Sequence, residues 1–347
     1  MNIAATTGTI APELQRYAAL DQRLLAAVRG IHVLPTVAWP ASLESRMIEA
    51  YSRGQFALPQ VSYVRPDLGA ARAELAAIEH AATSDAQVDP LGDYLQRTAD
   101  SWLMAAEMLE AVGTVGVTVP SVALYGRPDD LIPGSTQSNL DAARYFIALS
   151  DELGADLLAD DSSTGIPADV LRMGLAATLD DFFGTGTISV EVDAELTAKA
   201  AAGATRIRLR GGACFSEYDR HQLLAHEAFV HSLTALNGRR QPLLASLART
   251  SPRVTATQEG LAVFAELMSG AIDITRLKRI SLRIVAIDMA LKGADFVEVY
   301  RYFSACGQSA PDSFHSAQRV FRGVPLTGGA AFAKDNVYLS GLLTVHT

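Results

Sequence analysis

A mainly helical α+β fold is predicted for this chain on three observations. Its apolar content is 49% of 347 residues, carried largely by alanine, while aromatics make up only 7%. Apolar residues recur three and four apart through most of the sequence, the spacing of a helix with one buried face. Only a few short runs are β-branched or alternate in polarity, which limits the sheet to a few strands. The composition is too apolar for a disordered chain, and the length suffices for one large or two modest domains with a real core.

The elements follow in order. Pro12 suits a first helical turn. Leu14, Tyr17, Leu20, Leu24 and Val28 then repeat at helical spacing, with Gly30 as the stop. Ser42–Arg53 reads as a second helix. Ser62–Pro66 reads as extended chain, because Pro66 drives Arg65 out of the α region. Leu68–Ala82 and Leu91–Val112 are helices, the latter with Leu95, Trp102, Met108 and Leu109 on its core face. Val115–Tyr125 is apolar and rich in β-branched residues, and reads as a buried strand. Asn139–Ala159 and Pro167–Phe183 are amphipathic helices. Ile188–Val192 is a strand, Glu195–Ala202 a short helix, and Thr205–Leu209 a half-buried strand. Helices are expected at Ser216–Asn237, Gln258–Ser269, Arg276–Lys292, Asp295–Cys306 and Asp312–Phe321, with strand or turn character in the tail, Phe332–Val345. A soft boundary falls near residue 114. It separates a helical segment, 1–114, from a mixed region, 115–347, and the two parts can share one core.

Charge and composition exclude several classes. The net charge of −9 is the wrong sign for the basic footprint of a nucleic-acid binder. The longest stretch free of Asp, Glu, Lys and Arg is Ala111–Gly126, sixteen residues interrupted by Gly113, Gly116 and Pro120. A membrane-spanning helix needs about 20 apolar residues. The first residues form neither a basic nor an apolar leader region, so a cytoplasmic chain is expected. Cys214 and Cys306 are too few for a disulfide framework or a cysteine zinc site, and both thiols are expected reduced and partly buried.

The informative segment is His226-Glu227-Ala228-Phe229-Val230-His231. Two histidines with a glutamate beside the first suggest the zincin helix, where imidazoles hold zinc and the carboxylate is a general base. The spacing differs, being i, i+5. In an α-helix, positions four apart lie about 40° apart around the axis and positions five apart about 140°. A shared metal therefore requires a wider turn, such as a π-bulge. Ser216 can cap the helix, with Asp219 three residues on. On the pattern alone, metal ligation and hydrogen-bonded core histidines are equally consistent. A third ligand is available 28 residues after His231: Glu259, in Thr257-Gln258-Glu259-Gly260-Leu261-Ala262, reached by a chain that turns at Asn237-Gly238. Gly238 reads as a helix stop, and Gly260 as a site of close helix approach. Read alone, Glu259 is better taken as an ordinary first-turn glutamate favoured by the helix dipole.

The string Gln258-Glu259-Gly260-Leu261-Ala262 resembles the name-giving motif of the bacterial QEGLA-motif proteins, known as flavohaemoglobin expression modulators. That family is related to the eukaryotic microtubule-associated tyrosine carboxypeptidases, which are zinc peptidases. The resemblance extends to His226–His231, to Asn237-Gly238-Arg239-Arg240-Gln241-Pro242, to Arg319-Val320-Phe321-Arg322-Gly323 and to Phe332-Ala333-Lys334-Asp335. It covers most of the chain from about Leu124 onward. It implies a zincin-like metallopeptidase core behind an N-terminal helical segment, one Zn2+ ion on His226, His231 and Glu259, and Glu227 as catalytic base. It also implies a peptide or protein C-terminus as substrate.

Such a reaction needs an oxyanion stabiliser. Tyr338, Arg319, Arg322 and Lys334 are candidates, with Tyr338 the catalytic choice. Arg319 or Arg322 suits the terminal carboxylate, because a guanidinium fork matches it. Along Thr205-Arg206-Ile207-Arg208-Leu209-Arg210, Ile207 and Leu209 face one way while Arg206, Arg208 and Arg210 face the other. Arg208 can line an edge at which an extended substrate pairs, although a solvated edge guarded by charge is the plainer reading. His32, His80, His221, His315 and His346 have no ligand spacing. Two functions stay open: a zinc peptidase, and a non-catalytic zinc-containing regulatory or binding protein of the same fold. A structural metal, or none, is the third possibility.

Overall fold

The computed structural model describes residues 12–83, 89–157, 165–196 and 199–347. The N-terminal part is helical, as its periodicity requires: α1 (Pro12–Ala27), α2 (Val33–Thr36), α3 (Ala41–Ser52), α4 (Gly69–Ala82) and α5 (Pro90–Glu110). Asp89 caps α5 by accepting from the Leu91 and Gly92 amides, and Pro90 fills the first position, where no donor is missed. The buried stripe of α5 runs through Leu95, Thr98, Trp102, Ala105 and Leu109.

The expected strand at Val115–Tyr125 is instead a 3₁₀ turn, Val115–Val117, leading into α6 (Thr118–Tyr125). Its burial is helical: Val117, Ser121 and Tyr125 face inward, while Val115 and Val119 are exposed. Pro120 falls in the first turn of α6, where a helix tolerates it.

After α7 (Asn139–Leu157) come β1 (Ile166–Pro167), α8 (Ala168–Phe183), β2 (Ser189–Asp193), β3 (Ala200–Gly203), β4 (Arg206–Arg210) and β5 (Cys214–Phe215). The expected end of the 139–159 helix at Ala159 lies outside the described residues. The expected helix Glu195–Ala202 is not formed. Its described part holds a turn at 194–195 and strand β3, because pairing with β4 overrides the helix preference of alanine. The three-stranded sheet has the order β2-β4-β3, with β2 parallel and β3 antiparallel to β4. The arginine strand β4 is therefore central rather than an edge. Its Ile207 and Leu209 are buried with Val190, with Leu171, Leu175 and Leu179 of α8, and with Leu223, Leu224 and Ala228.

One continuous helical run follows: α9 (Glu217–Gln222), a π-helix at Leu223–Ser232, and α10 (Leu233–Arg239). Ser216 and Asp219 form the expected reciprocal cap. Gly238 does not stop the run. It lies within α10, and its lack of a side chain admits the backbone of Leu247 and Ala248, where a Cβ would meet atoms at 2.4 Å. The C-terminal part is α11 (Thr255–Met268), α12 (Ile274–Leu291), α13 (Phe296–Ala305), α14 (Ala310–Phe321) and α15 (Asn336–His346). The tail is thus a helix rather than strand or turn. Its Gly341, unfavourable in an isolated helix, packs backbone to backbone on Gly260 of α11, where a Cβ on Gly260 would lie 2.3 Å from the Gly341 carbonyl carbon.

The largest core draws on both sides of residue 114. Leu24, Leu75, Leu95 and Trp102 share it with Phe296, Phe303, Phe314, Phe321 and Phe332. Both cysteines are free, but Cys214 is exposed, not partly buried. No described helix is long and apolar enough to cross a membrane.

Candidate metal centre

The π-helix answers the spacing problem posed by His226 and His231. Its i→i+5 bonds add a residue to each turn, so positions five apart share a face. The two rings lie 4.9 Å apart, centroid to centroid. Opposite them, the first half of α11 presents Glu259. Its Oε2 is 3.3 Å from His226 Nε2 and 3.6 Å from His231 Nε2. One ligand atom from each of the three residues lies within 4.8 Å of the others, a group that can hold a metal ion.

The remaining ring nitrogens are occupied. His226 Nδ1 lies 2.5 Å from Glu266 Oε1. A carboxylate only accepts, so Nδ1 carries the proton and donates, which leaves Nε2 as the nitrogen aimed at Glu259. Glu266 is fully buried and held from behind by Arg276, which donates from Nε to Oε2 and from Nη2 to Oε1 at 2.6 Å. His231 Nδ1 faces the Gln258 amide oxygen at 3.5 Å. Outer partners of this kind fix ring orientation and make imidazole a better ligand. Glu266 was not singled out in the sequence. The signal was there, since Glu259 and Glu266 stand seven apart on α11 and so share a face.

Electrostatics in this cluster favour positive charge. Burial works against a charged His226, but Glu259 and Glu266 outweigh it and lift its pKa to about 9. Burial likewise disfavours ionised Glu259, yet His226, His231 and Lys334 hold its carboxyl well below the usual range. Lys334 Nζ lies 3.1 Å from Glu259 Oε1 and sits over the Tyr338 ring.

A cleft of about 560 Å³ opens on this cluster. Its lining includes Glu227, His231, Glu259 and Lys334 of the cluster, residues 202–204 at a sheet edge that no described strand pairs, residues 32–35, Trp102, and residues 249–252. Tyr125 also lines the cleft, its hydroxyl pKa raised to about 12 by burial.

The other sequence candidates do not line the cleft, although Tyr338 adjoins it beneath Lys334. Arg319 makes a two-bond pair with Asp335, at 2.5 and 2.7 Å. Burial opposes the charge on Asp335, and Arg319 and Arg283 outweigh it, keeping the carboxyl well below the usual range. Arg208 pairs with Asp193 of β2 at 3.2 Å. Arg319, Arg322, Tyr338 and Arg208 are not among the residues lining the cleft, whereas Arg249, Tyr125, Trp102 and His32 are. Those four carry no sequence motif; long-range packing alone brings them to the site.

The family model for microtubule-associated tyrosine carboxypeptidase matches residues 51–347. The chain belongs to this family. The match begins well before Leu124, so the family's sequence pattern includes α4 and α5 as well as the helices of the candidate site. Membership implies carboxypeptidase-type activity in general, with a peptide or protein as substrate. No curated protein matches the chain.

Proposed function

We propose that the protein is a zinc-dependent carboxypeptidase with a zincin-like core, of the bacterial QEGLA-motif branch, removing a C-terminal residue from a peptide or protein. The observation that carries this reading is the convergence of His226 Nε2, His231 Nε2 and Glu259 while each imidazole's other nitrogen is turned to an outer partner. Two neutral imidazoles and one carboxylate are the donor set of a catalytic zinc site with a position left for water. A zinc ion held there supplies Lewis acidity, lowering the pKa of water and polarising a carbonyl.

The chain's own residues do the rest. Glu227 lines the cleft beside His231 and Glu259. It removes a proton from the attacking water and returns it to the leaving amine. Lys334, pinned by Glu259, and the neutral hydroxyl of Tyr125 bring positive charge and a donor to the same cleft, where charge builds on the carbonyl oxygen. Arg319 acts at one remove, holding Asp335 next to Lys334 in the chain. The outer edge of β3, which no strand among the described residues pairs, offers backbone groups to an extended peptide. This role replaces the one considered for β4 and Arg208.

Metal analysis of the full-length protein tests the site. Wild type purified without added metal should carry about one zinc per chain, and His226→Ala/His231→Ala should carry none. Equal zinc in the two preparations ends the assignment. Glu227→Gln should keep the metal and lose roughly 10²–10⁴-fold in peptide hydrolysis. Undiminished turnover in that variant rules Glu227 out as the base.

A further inference from the structure

The geometry points to Arg249 as the residue that receives the α-carboxylate of the bound peptide, in the cleft that also holds Glu227 and Glu259. The inference rests on the carboxypeptidase reading and adds the group that would make the enzyme act on chain ends.

The cations around the site are sorted by their partners. Lys334 is bonded to Glu259, Arg276 to Glu266, Arg319 to Asp335 and Arg208 to Asp193. Arg249 differs. It lines the cleft, and among the described residues it has no carboxylate within ion-pair distance. Its guanidinium lies 5.2 Å from the centre of the Trp102 ring, and Nη2 donates to the Val28 carbonyl at 3.1 Å. A guanidinium has five N–H donors in one plane, so this single bond leaves most of the fork for a ligand. Burial without a counter-ion disfavours the charge and lowers the pKa of the group. An incoming carboxylate offsets that cost and can take two parallel hydrogen bonds.

The position of Arg249 is built, not incidental. The 3₁₀ turn before it, Ala245–Ala248, rests on Gly238 of α10, the continuation of the helix that carries His231. The same turn is tied to α1, where fully buried Asp21 accepts from the Ser246 amide at 3.0 Å and from its hydroxyl. Ser246 Oγ also lies 2.9 Å from the Tyr94 hydroxyl on α5. The guanidinium is thus fixed relative to the metal-site helix from one side and the N-terminal helices from the other. Ile31, Val33, Leu34 and Trp102 supply an apolar wall in the same cleft for the side chain of the terminal residue.

Calorimetric titration separates this proposal from the one it rests on. The protein is full-length Glu227→Gln, so that the ligand is not consumed. The probes are two N-acetylated pentapeptides of one sequence ending in tyrosine, one a free acid and the other a C-terminal amide. The acid should bind about 10- to 100-fold more tightly than the amide. Adding Arg249→Gln or Arg249→Met should bring the two affinities within about twofold by weakening the acid alone. Gln keeps a donor for the Val28 carbonyl, and Met keeps an apolar contact with Trp102. Zinc content and melting temperature identify which variant is folded, and either one decides. An acid preference that survives in a folded Arg249 variant overturns the role of Arg249 and leaves the carboxypeptidase reading standing. Equal binding of acid and amide before Arg249 is touched overturns both.

Discussion

His226 shows how far the orientation of one proposed ligand depends on residues beyond the candidate metal position. Its Nε2 faces Glu259 only because Nδ1 is committed to Glu266, and the fully buried Glu266 is itself held in place by Arg276, which grips both its oxygens. Glu266→Gln retains shape but offers Nδ1 a weaker acceptor and leaves Arg276 without its anion. Zinc affinity, measured by competition with a chelator, should fall about 10- to 100-fold, and an unchanged affinity would show that the ring needs no such support. The three proposed ligands and Glu227 were legible in the sequence because their chemistry is local: two histidines flank the base, and one glutamate stands in a named string. Arg249 was not legible. Nothing near it in the chain marks it, and its meaning comes from Trp102 and Val28, which lie far away in sequence.

At the level of the helix, the i, i+5 spacing required a widened turn, and the segment is a π-helix over Leu223–Ser232. That requirement could be read from the sequence because it is geometric and depends on no distant residue. The misread elements are those whose neighbours decide. Val115–Tyr125 has the composition of a strand, yet its inward positions repeat every four residues. The tail contains Gly341, which local propensity counts against a helix. The close crossing with Gly260 of α11 needs a glycine there. Gly341→Ala tests this crossing, because the added Cβ would lie 2.2 Å from the Ala256 carbonyl oxygen and 2.9 Å from Gly260 Cα. The helices must part, at a cost of about 1–3 kcal/mol. The denaturant midpoint should drop accordingly, and zinc affinity with it, since Glu259 adjoins the displaced residue. A midpoint equal to wild type would mean that the two helices separate freely.

Across the whole molecule, the change of character near residue 114 does not divide the hydrophobic interior. Trp102 of α5 and the phenylalanines of α13 and α14 belong to one core, and α1 holds the turn that presents Arg249. Scanning calorimetry should therefore give a single cooperative transition, with Trp fluorescence and zinc release changing at the same temperature. Two resolved transitions would mean that residues 1–114 fold apart from the rest. The sequence conveyed the helical character of each part and left their union open, because a shared core depends on which faces meet.

The ligand-bearing helices are rooted in different ground. The π-helix is anchored through Leu223, Leu224 and Ala228 to the sheet and α8, whereas α11 is anchored through Val263 to α7, α12 and α15. The candidate site lies where these two bodies meet, and a cation held as proposed by His226, His231 and Glu259 would add a further tie to the His226–Glu266 contact that already joins them. Loss of such an ion would remove one of the ties between the two bodies along with the reactivity, leaving the His226–Glu266 and His231–Gln258 contacts to hold the seam.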